Sequence, residues 1–388
     1  MTEDHSTPIR KREELVGYLR VAMQLEHATI PPYLTALYSI NPEPGNQNGA
    51  SYDIIRAVAV EEMLHLTLAA NLLNAIGGAP NLNAPGFVPS YPAYLPDGER
   101  DFEVGLQRFS KKTIERFLQI ERPRPVELKK KLVPLREICY VRHEHLNHGR
   151  ERGRGMLPHF ITAVKKEDNL KLHFWNIGQF YKAILNGFED LAEDLGEKEL
   201  FKGPLKSQVG PEHYYSGGGK IIKVTSLETA RAAIDLISGQ GEGLDGRIYD
   251  ADSELSHYYR FDQIHKGRYY REKIDKAGIP TGHAFKVDWK QVFPIIPNAK
   301  VAHYAQEPEI LKQALIFNWR YKDFLDKLNT ALNGDPFLLK PAIVSMHALK
   351  QDMIRLMRNP LSSGKGNAAP TFEMDKVEAP DNQDSNHG

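Results

Sequence analysis

The sequence predicts an all-α fold, a helical bundle with long loop insertions and additional helices towards the C-terminus. Three observations support this class. Apolar residues recur at alternating spacings of three and four over several long segments, which is the period of an amphipathic helix. A strand-like pattern is confined to one short stretch that follows the glycine turn at residues 216–219. Hydrophobic residues make up 41% and charged residues 26% of the 388 residues, which is usual for a soluble globular protein.

The first helix is predicted over residues 11–39. One of its faces carries six residues at helical spacing, namely Leu15, Leu19, Ala22, Glu26, Thr29 and Tyr33. Pro31 and Pro32 each remove a backbone donor, so we expect a kink or a break about one turn after Glu26. The stripe places the carboxylate of Glu26 in the middle of a largely apolar face.

The second helix is predicted over residues 52–76. It ends at Gly77 and Gly78 with a proline shortly beyond, which is a common helix stop. Its core-facing stripe has the same three-and-four spacing and consists of Ile55, Val58, Glu62, His65, Ala69, Leu72 and Ile76. A carboxylate and an imidazole therefore share an otherwise apolar face.

The rest of the chain adds further helices between long loops. The patterns predict helices over residues 110–120, 173–194, 225–237, 252–266, 308–332 and 338–358. Residues 81–105 are rich in proline, glycine and asparagine and are predicted to form a loop, while residues 121–170 are charged and without clear periodicity. We interpret residues 11–360 as one domain with insertions and residues 361–388 as a flexible tail.

Composition excludes several functional classes. Fifty lysines and arginines balance fifty aspartates and glutamates, so the basic excess typical of nucleic-acid-binding proteins is missing. No segment approaches the ~20 apolar residues that a membrane span needs, and the first residues are polar, so neither a membrane partner nor a signal peptide is expected. The single cysteine, Cys139, permits no intrachain disulfide, which is typical of a cytoplasmic protein.

Two Glu-x-x-His motifs are the main candidates for chemistry. Glu62 and His65 form one, and Glu254 and His257 form the other. Residues three apart share a helix face, so a carboxylate and an imidazole at this spacing can reach the same metal ion. A single motif of this kind is weak evidence, because about one is expected by chance in a chain of this composition.

The positions of these motifs strengthen the interpretation. Glu62, His65 and Glu26 lie within core-facing stripes, and burying a charge is costly unless it is paired or bound to metal. Bundles that hold two iron ions use one glutamate from each of two helices and a Glu-x-x-His motif from each of the other two. Mixed carboxylate and imidazole ligands suit iron or manganese. The candidate ligands are therefore Glu26, Glu62, His65, Glu254 and His257.

The third long helix departs from this pattern. The position where a carboxylate is expected holds Gln179, which lies on a narrow stripe of small and polar residues. A neutral amide is a poorer metal ligand than a carboxylate, so we expect one of two metal positions to be weak or absent. Glu242, in the segment GQGEG, is the alternative source of the missing carboxylate.

Several longer segments resemble a known family. These are QLEHATIPPYLTALYSI, VEEMLHLTLAANLLNAIGGAPNL, NIGQFYKAI, DLISGQGEG, SHYYRF and APTFE. They are similar to the ferritin-like domain of the iminophenylpyruvate dimer synthases of violacein and rebeccamycin biosynthesis, from about Glu13 to Phe372. The resemblance implies a ferritin-like four-helix bundle with metal ligands at the five positions named above. Members of the family commonly carry glutamate where Gln179 stands.

The residues and the resemblance together lead to a functional expectation. We expect an iron-dependent oxidase or oxygenase that uses dioxygen on a small amino-acid-derived substrate, with a mononuclear or dinuclear iron centre or with manganese in its place. The expected partners are that substrate and dioxygen, and a homo-oligomer is left open. The alternative is a non-catalytic metal-binding or partner protein with a partly degenerate di-metal site.

Overall fold

The structure is a computed structural model of the chain. It describes residues 8–41, 43, 45–96, 102–123, 174, 177–214, 218–242, 248–250, 252–272 and 274–380. Within these residues every regular element is a helix, and β-pairing is limited to isolated bridges. The all-α prediction is confirmed, whereas the short strand predicted after the glycine turn is wrong, because residues 218–224 form no strand.

The described residues form nine α-helices. In chain order these are α1 (Arg12–Ser39), α2 (Gly49–Ala75), α3 (Lys111–Ile120), α4 (Ile177–Leu195), α5 (Glu197–Leu200), α6 (Leu227–Glu242), α7 (His257–Lys266), α8 (Pro308–Leu332) and α9 (Leu339–Arg358). The long helices agree closely with the periodicity of the sequence. The main differences are in α7, which begins at His257 rather than at residue 252 because Ser256 has extended backbone angles, and in α6, which continues to Glu242 rather than ending at residue 237.

Four helices form the bundle that positions the candidate site. Helix α1 packs against α2 and α4, and α6 packs against α4 and α2, so the four enclose a common interior. The short helices α3 and α7 pack against each other, and α7 also contacts α2 and α6. The α8–α9 pair lies outside this bundle against α1 and α2. Helix α1 is consequently buried on nearly all sides over residues 21–37, which its single apolar stripe did not indicate.

Helix α1 runs through its two prolines without a break. The carbonyl of Ala28 lacks its usual donor four residues later because Pro32 has no N–H. The hydroxyl of Tyr91 donates to this carbonyl at 2.9 Å instead. The loop after α2 thus supplies the hydrogen bond that the helix cannot make. The break we expected at these prolines does not occur.

The C-terminal segment packs onto α8 as far as Glu378, whose backbone N–H donates to the carbonyl of Leu315 at 3.2 Å. Ala368, Ala369 and Phe372 are buried. Tyr304 donates its hydroxyl to the carbonyl of Ala369 at 2.7 Å, and Asn318 of α8 accepts a bond of 3.0 Å from Thr371. The low apolar content predicted a flexible tail over residues 361–388, but these few buried side chains anchor its first part. Residues 381–388 lie outside the described part of the chain.

None of the described helices combines the length and the apolar character that crossing a bilayer requires.

Candidate metal centre

Five buried side chains converge inside the bundle in two overlapping groups. Glu26, Glu62 and His65 form one group, and Glu62, Glu121 and His257 form the other. In each group the potential ligand atoms lie within 4.8 Å of one another. Glu62 belongs to both groups, and the other four residues divide into one carboxylate and one imidazole on each side of it. We call these the His65 half and the His257 half.

The His65 half joins α1 and α2. Nδ1 of His65 lies 3.4 Å from Oε2 of Glu26 and 3.8 Å from Oε1 of Glu62. Tyr181 of α4 donates its hydroxyl to Oε1 of Glu26 at 2.5 Å. Thr29, one turn from Glu26, donates to Oε2 of Glu62 at 2.9 Å. These hydroxyl donors orient two carboxylates whose remaining oxygens face His65.

The His257 half brings α7 and the end of α3 to the same point. Nδ1 of His257 lies 3.0 Å from Oε1 of Glu62 and 3.4 Å from Oε2 of Glu121. Tyr33 of α1 donates its hydroxyl to Oε1 of Glu121. The two halves therefore share one plan, in which each outer carboxylate accepts a hydrogen bond from a buried tyrosine. The imidazole rings of His65 and His257 stack with their centroids 5.4 Å apart.

The outer nitrogens of both imidazoles contact hydrogen-bond acceptors. Nε2 of His65 lies 2.9 Å from Oε1 of Gln240, and Nε2 of His257 lies 2.8 Å from Oε2 of Glu61. The amide nitrogen of Gln240 donates to the carbonyl of Gly218, so its oxygen is the atom that faces His65. Each ring therefore carries its N–H on Nε2 when neutral, and its Nδ1 is left as an acceptor.

This arrangement fits a bound metal ion. In the neutral rings, Nδ1 faces carboxylate oxygens that are also acceptors, so the contact becomes favourable when a metal ion binds between them or when the ring takes up a second proton. Nδ1 of His257 is fully buried and makes no hydrogen bond, although it is aimed at Glu62 and Glu121. Three carboxylates and two imidazoles are a donor set that suits iron or manganese. The five residues thus offer what a metal centre of this type requires.

The electrostatics of the cluster show the same demand for positive charge. Burial, together with the charges of Glu121 and Glu26, raises the pKa of Glu62 to about 7. Burial lowers the pKa of His65, but the contact with Glu26 and the charge of Glu62 outweigh it, so its pKa is raised overall. The pKa of His257 is raised well above its usual range because Glu121 and its other carboxylate neighbours outweigh burial. In the absence of a metal ion, bound protons therefore supply the positive charge that balances the buried carboxylates.

Both buried tyrosines remain protonated. Burial and the charge of Glu121 raise the pKa of Tyr33 well above its usual range. Burial and the charge of Glu26 do the same for the pKa of Tyr181. Both hydroxyls are therefore available as donors to the carboxylates.

Comparison with known proteins identifies the fold family. A family model described as ferritin-like matches residues 19–266, a range that includes all five clustered residues. The chain belongs to the ferritin-like family. The bundle of this ferritin-like protein holds its candidate metal ligands in its interior, and the resemblance found in the sequence is confirmed at the level of this family.

Two curated proteins are similar to this ferritin-like protein. Dichlorochromopyrrolate synthase of Lentzea aerocolonigenes is 23% identical over 96% of the chain, and 2-imino-3-(indol-3-yl)propanoate dimerase of Chromobacterium violaceum is 24% identical over 66% of it. The matches span only 37% and 23% of those proteins, respectively. The chain thus corresponds to a minor part of each relative.

A solved structure supports the fold independently. The crystal structure of a ferritin-like protein from Caulobacter vibrioides superposes with a TM-score of 0.56 at 20% identity. The alignment covers 94% of this chain and 99% of that protein. The alignment is therefore not limited to the four bundle helices.

The structure brings together four of the residues that the sequence singled out, namely Glu26, Glu62, His65 and His257. Glu254 lies outside the cluster. Its side chain is 63% exposed and accepts a bond of 2.8 Å from Arg260. The i, i+3 argument does not apply to Glu254, because this residue precedes the first turn of α7.

The two remaining candidates are Gln179 and Glu242. Gln179 of α4 is half-buried, and Tyr181 of the same helix donates a hydrogen bond to Glu26. Two residues correspond to about 200° around a helix, so Gln179 and Tyr181 project in different directions. Glu242 is the last residue of α6, and its side chain lies outside the described part of the structure. Among the described side chains of α6, Gln240 contacts the cluster through His65.

Glu121 is the functional candidate that sequence reasoning missed. It directly follows α3, where it continues the spacing of Ile114 and Phe117 on the buried face of that helix. This continuation is the signal that could have identified it. The adjoining charged segment concealed it, because a glutamate at the start of such a segment resembles a solvated residue.

Proposed function

We propose that this protein is a metal-dependent enzyme that uses dioxygen to oxidise a small amino-acid-derived substrate. Iron, or manganese in its place, would be held by Glu26, Glu62, His65, Glu121 and His257. The observation that carries the proposal is the buried Nδ1 of His257, which makes no hydrogen bond and is aimed at two carboxylates. Without a metal ion, this contact requires a second proton on His257, and the raised pKa of this residue reflects the same need for positive charge.

The chemistry of the ligands supports iron or manganese over other metals. Two carboxylates and two imidazoles around a shared glutamate are ligands typical of redox-active iron and manganese centres in helical bundles. When bound, such a metal supplies one-electron redox steps and a place for dioxygen. Zinc would suit some of these ligands but would supply no redox chemistry.

Three hydroxyl groups next to the centre orient its carboxylates in this proposal. Tyr33 and Tyr181 hold Glu121 and Glu26 in fixed orientations by donating hydrogen bonds to one oxygen of each. Thr29 does the same for Glu62. The low exposure of all five ligands, 3% or less, excludes bulk water from the centre. Preorganised ligands in a dry interior are what controlled oxidation chemistry requires.

The relatives indicate the substrate class. One is named as a synthase of dichlorochromopyrrolate and the other as a dimerase of 2-imino-3-(indol-3-yl)propanoate. The second name describes an imino acid that carries an indole ring. We propose an aromatic imino acid or its parent amino acid as the substrate of this chain, with dioxygen as the electron acceptor.

The test combines metal loading with a substrate assay. The protein is loaded anaerobically with Fe(II) and then exposed to dioxygen with aromatic imino acids, which a separate amino-acid oxidase generates in the same mixture. We expect a new oxidised product by mass spectrometry that is absent without the protein and with the variant Glu121→Gln. Metal binding without any substrate-dependent product would favour a non-catalytic metal-binding protein, and absence of metal binding would contradict the proposal altogether.

A further inference from the structure

The two halves of the centre are alike in their ligands and differ in what lies behind each imidazole. Each half has one imidazole, one outer carboxylate and the shared Glu62, and each outer carboxylate accepts a bond from a tyrosine. Behind His65 lies the neutral amide of Gln240. Behind His257 lies the carboxylate of Glu61. This is the main chemical difference between the two halves.

The carboxylate behind His257 is held as an anion by a network that reaches the surface. Arg260 contacts Oε1 of Glu61 at 2.9 Å and Oε2 of Glu254 at 2.8 Å. Arg260 is 8% exposed, and its guanidinium also donates to the carbonyl of Leu255. Two carboxylates share one guanidinium, so this trio keeps one net negative charge behind the imidazole.

The amide behind His65 offers no such charge. Gln240 accepts from the imidazole and donates to the carbonyl of Gly218 at 2.9 Å, so both ends of the amide are engaged by neutral groups. An imidazole whose N–H is bonded to a carboxylate donates more electron density through its other nitrogen than one bonded to an amide. His257 is therefore the stronger ligand of the two.

We propose that the two halves bind metal unequally and in order, with the His257 half filling first and the His65 half second. This inference rests on the proposed metal centre. Its cause is the pairing of Glu61 with His257 and of Gln240 with His65. The five direct ligands alone would not predict this order, because both halves contain the same types of ligand.

Manganese(II) titration provides the test. Free Mn(II) is followed by its paramagnetic resonance signal in the wild-type protein, and anomalous diffraction from crystals with one equivalent of Mn(II) locates the first ion. We expect two binding steps that differ by roughly 10-fold or more, with the first ion beside His257. Glu61→Gln should weaken the tighter step by about 10–100-fold, which is the usual effect of losing such an outer partner.

Two further variants make the result decisive. Gln240→Glu places a carboxylate behind His65 and should tighten the second step, so it tests the same cause at the other half. Glu309→Gln on the exposed side of α8 is the matched control and should change neither step. Equal affinities in the wild-type protein, or a tighter step that Glu61→Gln leaves unchanged, would overturn this inference while the metal centre stands. Absence of any bound Mn(II) would overturn both.

Discussion

Tyr181 donates a hydrogen bond of 2.5 Å to Glu26 from a helix that two-iron bundles normally use to present a carboxylate. In this protein α4 contributes a phenol that orients a ligand of α1. The third carboxylate of the cluster comes from Glu121 at the end of the short helix α3. The protein thus assembles three carboxylates and two imidazoles, one carboxylate fewer than the two-iron arrangement, and takes Glu121 and His257 from α3 and α7 outside the four-helix bundle.

Removing either imidazole should abolish most metal binding. His65→Ala and His257→Ala each delete a candidate ligand and leave buried carboxylates uncompensated. We expect affinity for Fe(II) to fall by roughly 100-fold or more, since even loss of an outer partner costs about 10–100-fold. Metal content after gel filtration measures the effect. His347→Ala, on the exposed surface of α9, is the control. Unchanged metal content in both cluster variants would show that the site is misassigned.

Variants of Glu121 and Glu254 distinguish the metal site found in the structure from the one expected from the sequence. Glu121→Gln removes a buried carboxylate next to His257 and should reduce the metal-to-protein ratio. Glu254→Gln changes a side chain that is 63% exposed and should leave both metal ions bound. Metal analysis of the two purified variants decides the matter. The reverse result would support the original motif, in which Glu254 is a ligand.

Metal removal should lower thermal stability. Glu26, Glu62 and Glu121 are buried within one cluster, so in the metal-free protein bound protons must offset their mutual repulsion in place of a metal ion. Metal that binds only the folded state adds about 2.7 kcal/mol when its free concentration is 100 times its dissociation constant. Melting curves of chelator-treated and Fe(II)-loaded protein under anaerobic conditions test this expectation. Identical melting temperatures would argue against a metal in the bundle.

Tyr91 should contribute to stability through α1. Its hydroxyl is the donor to the Ala28 carbonyl that Pro32 cannot serve. Tyr91→Phe leaves that buried acceptor unpaired and should cost about 1–3 kcal/mol of unfolding free energy. Urea denaturation measures this loss of unfolding free energy. Pro32→Ala in the same background restores a backbone donor, so it should recover part of the loss. A Tyr91→Phe variant as stable as wild type would show that α1 tolerates the free carbonyl.

His27 should make stability depend on pH below neutrality. Its imidazole is fully buried, with Nε2 bonded to the hydroxyl of Tyr321 at 2.8 Å, and burial lowers its pKa from 6.5 to about 3. Between these values the unfolded chain binds a proton that the folded chain does not, so acidification from pH 6.5 favours unfolding. Each pH unit within this range changes the free energy of unfolding by about 1.4 kcal/mol.

The matched variant is His27→Gln, which does not titrate but retains a side-chain hydrogen-bonding group. Between pH 7 and pH 5, metal-free wild-type protein should lose roughly 2 kcal/mol more stability than this variant. Urea denaturation at both pH values provides the comparison, and the other titrating groups cancel between the two proteins. Equal losses would show that His27 is solvated or already protonated in the folded state.

Local periodicity accounts for much of what could be predicted. The spacing of Glu26, Glu62 and His65 within apolar stripes identified three of the clustered residues, because a helix places residues three and four apart on one face whatever surrounds it. His257 was found through its motif, although the glutamate of that motif lies outside the cluster. The sequence alone therefore established the helical class, most helix boundaries and the mixture of carboxylates and imidazoles.

Tertiary structure decided which distant residues complete the set. Glu121 reaches the cluster because α3 packs against α7, and no local pattern encodes that contact. Glu254 is excluded because α7 begins three residues after it. Tyr181, Gln240 and Glu61 occupy their positions through the packing of separate helices, and hydrogen bonds of this kind depend on distances of tenths of an ångström. Helical period is a property of the chain, whereas these partners are properties of how the helices meet.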